Sequence, residues 1–282
     1  MELPILRIRA ERVWADALAA AGLSSAATLL QSAYSNDLMD PYLIGTLSGA
    51  MAALAAAVLL LGLSALVGPQ SYLAAFFGAL VPGALTALAA FKLGPRQSLT
   101  FGIALTLSLQ GVASLLSYLA AAESGLPLLP MLLGTTQYAS EEALRALTVV
   151  VALAWATAQL VYKEVSSLEY PEGFPRSFAI VEEKAALKAV LISAASSSAV
   201  VSCCGVLPFL GLIGGVVGRR LSPPGSGKAL VVAFVTSYLV MVTTDFVANS
   251  VETPYGYLPV GAFLSLIGGL ALAALLVKSG GT

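Results

Sequence analysis

The only two cysteines in the chain, Cys203 and Cys204, are neighbours. Thiolates are soft donors, and two side by side suit Cu(I), Hg(II) or related ions that accept few ligands. In a regular helix successive side chains diverge by about 100°, so the pair would chelate poorly unless the backbone breaks there. The neighbourhood predicts that break. Ser196, Ser197, Ser198 and Ser202 precede the thiols, and Gly205, Pro208, Gly211, Gly214 and Gly215 follow them. Packing accounts for the same residues without an ion. Cysteine is a good small buried side chain, and Gly211 with Gly215 and Gly214 with Gly218 fit the small-x-x-x-small spacing of close helix contacts.

The second candidate is Asp245, the one acid well inside a clear apolar segment. A carboxylate at that depth is expected to be paired, protonated or facing water. Tyr238, Asp245 and Asn249 lie at i, i+7 and i+11 on one helical face, with Met241 between them, and that face would line a proton or cation path. A purely structural contact is the competing reading, either snorkelling to the outer boundary or pairing with Arg145. Arg145 has a nearer partner in Glu141, one turn earlier. Gln110, Ser114 and Ser117 form a further polar stripe that interhelical hydrogen bonds would explain, and Gly45 with Gly49 reads as a close helix contact.

Two absences narrow the chemistry. The chain has no histidine, which excludes His-ligated redox centres and His-dependent hydrolysis. Gly225-Ser226-Gly227-Lys228 is not a phosphate loop, because the leading glycine spacing fails and Ala229 stands where Ser or Thr is required. No nucleotide site is therefore expected. No cluster of catalytic polar groups falls at one depth either, so the chain does not read as an enzyme.

These residues are carried by elements that lipid, not water, must surround. Apolar residues make up 58% and charged residues 10%, against roughly 45 to 50% and 25% in soluble chains, and the mean hydropathy is +0.90. With a net charge of −1 and no basic stripe, nothing points to nucleic acid. A span needs about 20 apolar residues. Six segments meet that length: Tyr42–Val67, Tyr72–Phe91, Leu99–Ala121, Leu144–Tyr162, Ala229–Asn249 and Tyr257–Val277. The prediction is an all-α, polytopic transmembrane bundle of the cell membrane. It consists of these six spans, a broken Cys-containing hairpin over Ala185–Gly218, and an interfacial helix over Trp14–Tyr34. The whole of 1–282 forms one membrane domain, with 1–41 amphipathic or weakly spanning.

Basic residues collect on the cytoplasmic side. If Trp14–Tyr34 does not cross and the hairpin enters and returns on one side, every Lys and Arg except Arg145 falls inside. If Trp14–Tyr34 does span, Arg7, Arg9 and Arg12 move outside. Residues 163–184, with Pro171, Gly173 and Pro175, form a cytoplasmic connector too short for a core of its own. Glu123–Glu142 reads as a short lid or interfacial helix on the opposite face.

The run Ser202-Cys203-Cys204-Gly205-Val206-Leu207-Pro208-Phe209-Leu210-Gly211 resembles the small-Cys-Cys-x-x-Pro-apolar-Gly segment of the mercuric ion transport membrane proteins, with Pro208 one position further from the pair. The resemblance implies that Cys203 and Cys204 receive a soft metal ion and pass it inward. Two functions follow. The first is a transporter or permease for such an ion, with Asp245 as its pathway or coupling carboxylate, driven by a gradient or a separate partner. The second is a non-catalytic helical subunit of a larger respiratory or translocation assembly, docking through residues 163–184. The partners are the bilayer and other membrane proteins or further copies of the chain.

Overall fold

The structure, a computed structural model, describes residues 2–66, 68–124, 134, 136, 140–170, 180–250, 252–253 and 256–279. Its helices are α1 (Glu2–Ala33), α2 (Thr46–Leu61), α3 (Pro69–Leu93), α4 (Pro95–Ser124), α5 (Glu141–Ser166), α6 (Glu182–Cys204), α7 (Leu210–Leu221), α8 (Lys228–Ser250) and α9 (Val260–Ser279). Short 3-10 turns cover Pro41–Ile44, Leu63–Leu66 and Ser167–Glu169. The only strands among the described residues are the two-residue pieces Glu252–Thr253 and Gly256–Tyr257, paired antiparallel between α8 and α9. The expected all-α, multi-span bundle is what the chain forms.

The helices fall into two packed groups. One holds α2, α3 and α4, and the other holds α1, α5, α7 and α8; α6 touches both through α3 and α1. Leucine, isoleucine and phenylalanine side chains such as Leu73, Phe77, Leu85, Leu107, Leu160 and Phe246 point outward, as a lipid solvent requires.

The N-terminal segment departs from expectation. α1 does not lie at the interface. Its Arg9–Ala33 portion is long and apolar enough to span, and it is the most enclosed of the candidate spans. Its polar residues Asp16, Ser24, Ser25, Thr28, Gln31 and Ser32 are all buried. Ser24, Ser25 and Thr28 donate to carbonyls of their own helix, whereas Asp16 accepts from Thr136 and Gln31 donates to the Met39 and Leu212 carbonyls. Arg7, Arg9 and Arg12 therefore stand at the opposite end from Lys92, Arg96, Lys163, Lys184, Lys188, Arg219, Arg220 and Lys228. The latter group marks the cytoplasmic end.

Two stretches of irregular backbone enter the bundle. The first follows α1. Tyr34 meets Ser98 near the cytoplasmic start of α4, hydroxyl to hydroxyl at 3.0 Å. Leu43 then presents its carbonyl to Thr106, at 3.2 Å. Eight residues along α4 correspond to about 12 Å of depth. α2 consequently starts inside the bundle and needs only 16 residues to reach the outer end. The second stretch is Gly205–Phe209. It separates α6, which rises to the outer end, from the 12-residue α7, which returns to the cytoplasmic end. The hairpin thus enters and leaves on one side, as expected.

α7 runs between α1 and α8, and its glycines divide the work. A Cβ at Gly211 would overlap the Leu23 carbonyl and one at Gly215 the Gln31 amide, both on α1. A Cβ at Gly214 or Gly218 would overlap Ser237 or the Ala229 carbonyl on α8. Gly49 likewise sits against the Gly78 carbonyl of α3. The small-residue spacings mark real close contacts.

Candidate functional site

Non-helical backbone at membrane depth survives only where protein groups satisfy it, and here buried side chains do so. Gln31 donates to the carbonyls of Met39 (3.3 Å) and Leu212 (3.2 Å). The Tyr42 amide donates to Asp40 at 3.0 Å, Thr46 to the Pro41 carbonyl at 2.9 Å, and Thr86 to the Ile44 carbonyl at 3.2 Å. In the second break the Leu207 amide donates to the Tyr42 hydroxyl at 3.0 Å, and Ser237 donates to the Leu210 carbonyl at 2.9 Å. The Val206 carbonyl accepts from the Gly134 amide at 3.1 Å, and the Gly134 carbonyl accepts from the Gly261 amide at 3.1 Å. The two irregular stretches are therefore tied to each other inside the bundle.

Cys203 and Cys204 lie just before the second break rather than in it. α6 remains regular through Cys204, and the chain leaves the helix at Gly205, whose φ of +68° favours glycine. Cys204 is buried in the main apolar cluster with Ala15, Ala19 and Tyr42. The Cys203 thiol turns towards the Ala143 carbonyl at 3.7 Å and accepts from Ser202 at 3.8 Å. The helix sends the two sulfurs about 100° apart. No group of three or more His, Cys, Asp or Glu suited to a metal ion occurs among the described residues.

Asp245 is paired, with a partner other than the expected one. Arg12 Nη2 donates to Asp245 Oδ1 at 2.6 Å, with the two side chains 24% and 11% exposed. Asn249 donates to the same oxygen at 3.1 Å. Asp16 is buried nearby on α1, accepts from Thr136 at 2.8 Å, and interacts electrostatically with both Asp245 and Arg12. The outer end of the bundle thus holds two carboxylates around one guanidinium. Arg145 pairs with Glu141 at 2.6 Å, as its spacing suggested, and Arg7 meets the same carboxylate. Tyr238 stands apart from this cluster, stacked on Phe234 with ring centroids 6.0 Å apart.

The polar stripe on α4 also behaves unexpectedly. Gln110, Gly111 and Ser114 are exposed midway along the helix, and Ser117 is half-buried with its hydroxyl unpartnered. Among the described residues, no neighbouring side chain or other helix lies within 4 Å of a Cβ built on Gly111. Helix contacts within this chain do not absorb that face.

The sequence model of the FecCD transport family matches residues 2–278, nearly the whole chain and both irregular stretches. The chain belongs to the FecCD transport family. Among relatives of this FecCD protein is the "Probable iron chelatin transport system permease protein" of Helicobacter pylori strain J99. It is 26% identical over 280 residues, which cover 98% of this chain and 83% of the relative. The ferric enterobactin transport system permease protein FepG of Escherichia coli K12 is 24% identical over 285 residues, covering 99% and 83%. The cobalamin import system permease protein BtuC of Halobacterium salinarum is 27% identical over 264 residues, covering 93% and 70%. The same fold occurs in an inward-facing ABC transporter assigned to the metal-chelate type. Its TM-score is 0.85 at 21% identity, over 97% of this chain and 88% of the other.

Family membership settles that the chain is a multi-pass membrane permease of a transport family and not an enzyme. It also overturns the mercuric resemblance. That likeness covers ten residues, whereas the FecCD pattern runs through them and through the rest of the chain. The glycines that follow the pair are required by the packing of α7 against α1 and α8. Sequence reasoning missed Arg12, Asp16, Asp40 and Tyr42. The signal for them was a set of polar residues in and after an otherwise apolar segment, which reads equally well as a reluctant span.

Proposed function

We propose that this chain is the membrane-spanning permease of an ATP-driven system that imports an iron chelate or a metal complex of similar size. The names of the relatives support the cargo, and the ABC transporter of the same fold supports the energy source. The chain carries no phosphate loop of its own. ATP hydrolysis then belongs to a separate subunit, which must dock at the cytoplasmic end where the basic residues gather. The cargo is a whole chelate, so the protein need not supply metal ligands, and the buried, diverging thiols fit that division of labour.

One observation carries the reading furthest. Gln110, Gly111 and Ser114 form a polar and small face at mid-depth on α4 that no helix among the described residues covers. An amide side chain facing hydrocarbon is costly. A second copy presenting the same face would enclose a path lined by amide and hydroxyl groups, suited to an oxygen-rich complex. The test is uptake of metal complexes labelled with radioactive iron or, for cobalamin, radioactive cobalt into proteoliposomes holding the chain with its ATPase and binding protein. ATP-dependent accumulation of a ferric siderophore, haem or cobalamin is expected. Absence of ATP-dependent uptake across that panel would overturn the reading.

A further inference from the structure

The cytoplasmic end of α7 carries an arrangement that neither the family assignment nor the transport reading uses. The Arg219 guanidinium, whose side chain is only 12% exposed, serves two acids from separate segments. Its Nη1 donates to Asp37 at 2.8 Å, and its Nε donates to Glu169 at 3.1 Å. Asp37 lies in the irregular stretch after α1, and Glu169 lies in the 3-10 turn that begins the connector between α5 and α6. Arg220 takes the other Asp37 oxygen at 2.9 Å. A second link runs parallel to the first, because the Ser35 hydroxyl donates to the Leu168 carbonyl at 2.9 Å.

We propose that Arg219 is a positioning residue that makes the 3-10 turn Ser167–Glu169, the far end of α7 and the irregular stretch 36–45 move as one body. A displacement imposed on that turn by an ATPase thereby reaches the Tyr42–Leu207 junction inside the bundle. This inference rests on the permease reading above. The chemistry favours arginine in the role. A planar guanidinium offers several fixed donors and can hold two carboxylates at once, whereas an ammonium is a single point charge. The position suits it too, since a cation in the last turn of a helix faces the negative end of the helix dipole. The remaining ties lie on the same route. Gln31 links Met39 to Leu212, and Tyr42 holds Leu207, so both ends of α7 are fastened to the stretch that Asp37 belongs to. The turn Ser167–Glu169 therefore has a polar route into the core that bypasses the lipid-facing helices.

The experiment uses the complete complex with its ATPase in nanodiscs and proteoliposomes, and measures ATP hydrolysis and chelate uptake in parallel. Arg219→Gln is expected to lower uptake per ATP about tenfold, within the usual range of coupling effects, with hydrolysis within about twofold of wild type. Arg219→Lys should restore part of the ratio. Asp37→Asn serves as the second variant should Arg219→Gln fail to assemble, and is expected to uncouple in the same way. Hydrogen exchange gives an independent readout in the permease itself. The amides of 36–45 and 167–170 should exchange faster together in the variant, while those of α5 keep their protection. An unchanged uptake-to-ATP ratio, or two segments that respond independently, would overturn the proposal. A wild-type complex that takes up no chelate would instead strike the permease reading, and the exchange result would still decide whether Arg219 joins the segments.

Discussion

The Tyr42 hydroxyl accepts the Leu207 amide at 3.0 Å, joining two places where the backbone abandons helical geometry 165 residues apart. Each break exposes groups that a bilayer protein cannot leave bare, and each uses the other for relief. Tyr42→Phe keeps the ring and removes the acceptor, leaving a buried N–H without its partner. The expected cost is about 1 to 3 kcal/mol, read as a lower midpoint of thermal unfolding in detergent. A midpoint equal to wild type would mean that the amide finds another acceptor.

Arg12 and Asp245 provide a second test, because Asp16 makes the two single substitutions unequal. Arg12→Gln leaves two enclosed carboxylates facing each other, whereas Asp245→Asn leaves Arg12 with Asp16 still close. Breaking a buried ion pair typically costs about 3 to 5 kcal/mol, and the residual exposure of Arg12 lowers that to about 2 to 3 kcal/mol here. The arginine variant should be the less stable of the two. The double variant should be less destabilised than the sum of the single ones, which a double-mutant cycle on unfolding free energy measures. Additive effects would deny that the two side chains interact.

The thiols give a prediction of the opposite kind. Cys203 and Cys204 sit on regular helix with diverging side chains, and Cys204 fills space among alanines. Replacing both by alanine removes every soft donor of the pair while costing about 1 kcal/mol in packing. ATP-driven chelate uptake by the double alanine variant is expected to match wild type per folded molecule. A loss of uptake in well-folded protein would restore a direct role for the sulfurs.

How much of this was legible in the residues follows a physical divide. Hydropathy and length report the solvent, so the multi-span, all-α character was readable, and so was the hairpin break at Gly205 and Pro208, where local backbone chemistry decides. The spacing of Gly211, Gly214, Gly215 and Gly218 was readable as helix contact for the same reason, although only the structure shows that alternate glycines serve α1 and α8. What was not readable depends on distant partners. Asp16 and Gln31 lower the apparent hydropathy of α1, and a sequence window cannot see that Thr136 and Leu212 await them. The cysteine pair misled for a related reason, because adjacency in sequence says nothing about the directions in which a helix points two sulfurs. The stretches 125–133 and 171–179, within the expected lid and docking connector, lie outside the described residues.

The open face of α4 yields the last prediction, since it separates packing within one chain from packing between chains. A Cβ at Gly218 would collide with the Ala229 carbonyl, so Gly218→Ala should destabilise the single chain by about 2 kcal/mol or more, in the manner of core overpacking. A Cβ at Gly111 meets no neighbouring group within 4 Å among the described residues, so Gly111→Leu should leave the unfolding midpoint of the isolated chain within about 1 °C of wild type. If a second copy covers this face, the same leucine intrudes on the contact through which the copies meet. Cross-linking of a cysteine at Ser114 to its counterpart should then fall sharply in the Gly111→Leu background, and chelate uptake with it. Retention of both would show that α4 faces lipid and that the path for the chelate runs elsewhere.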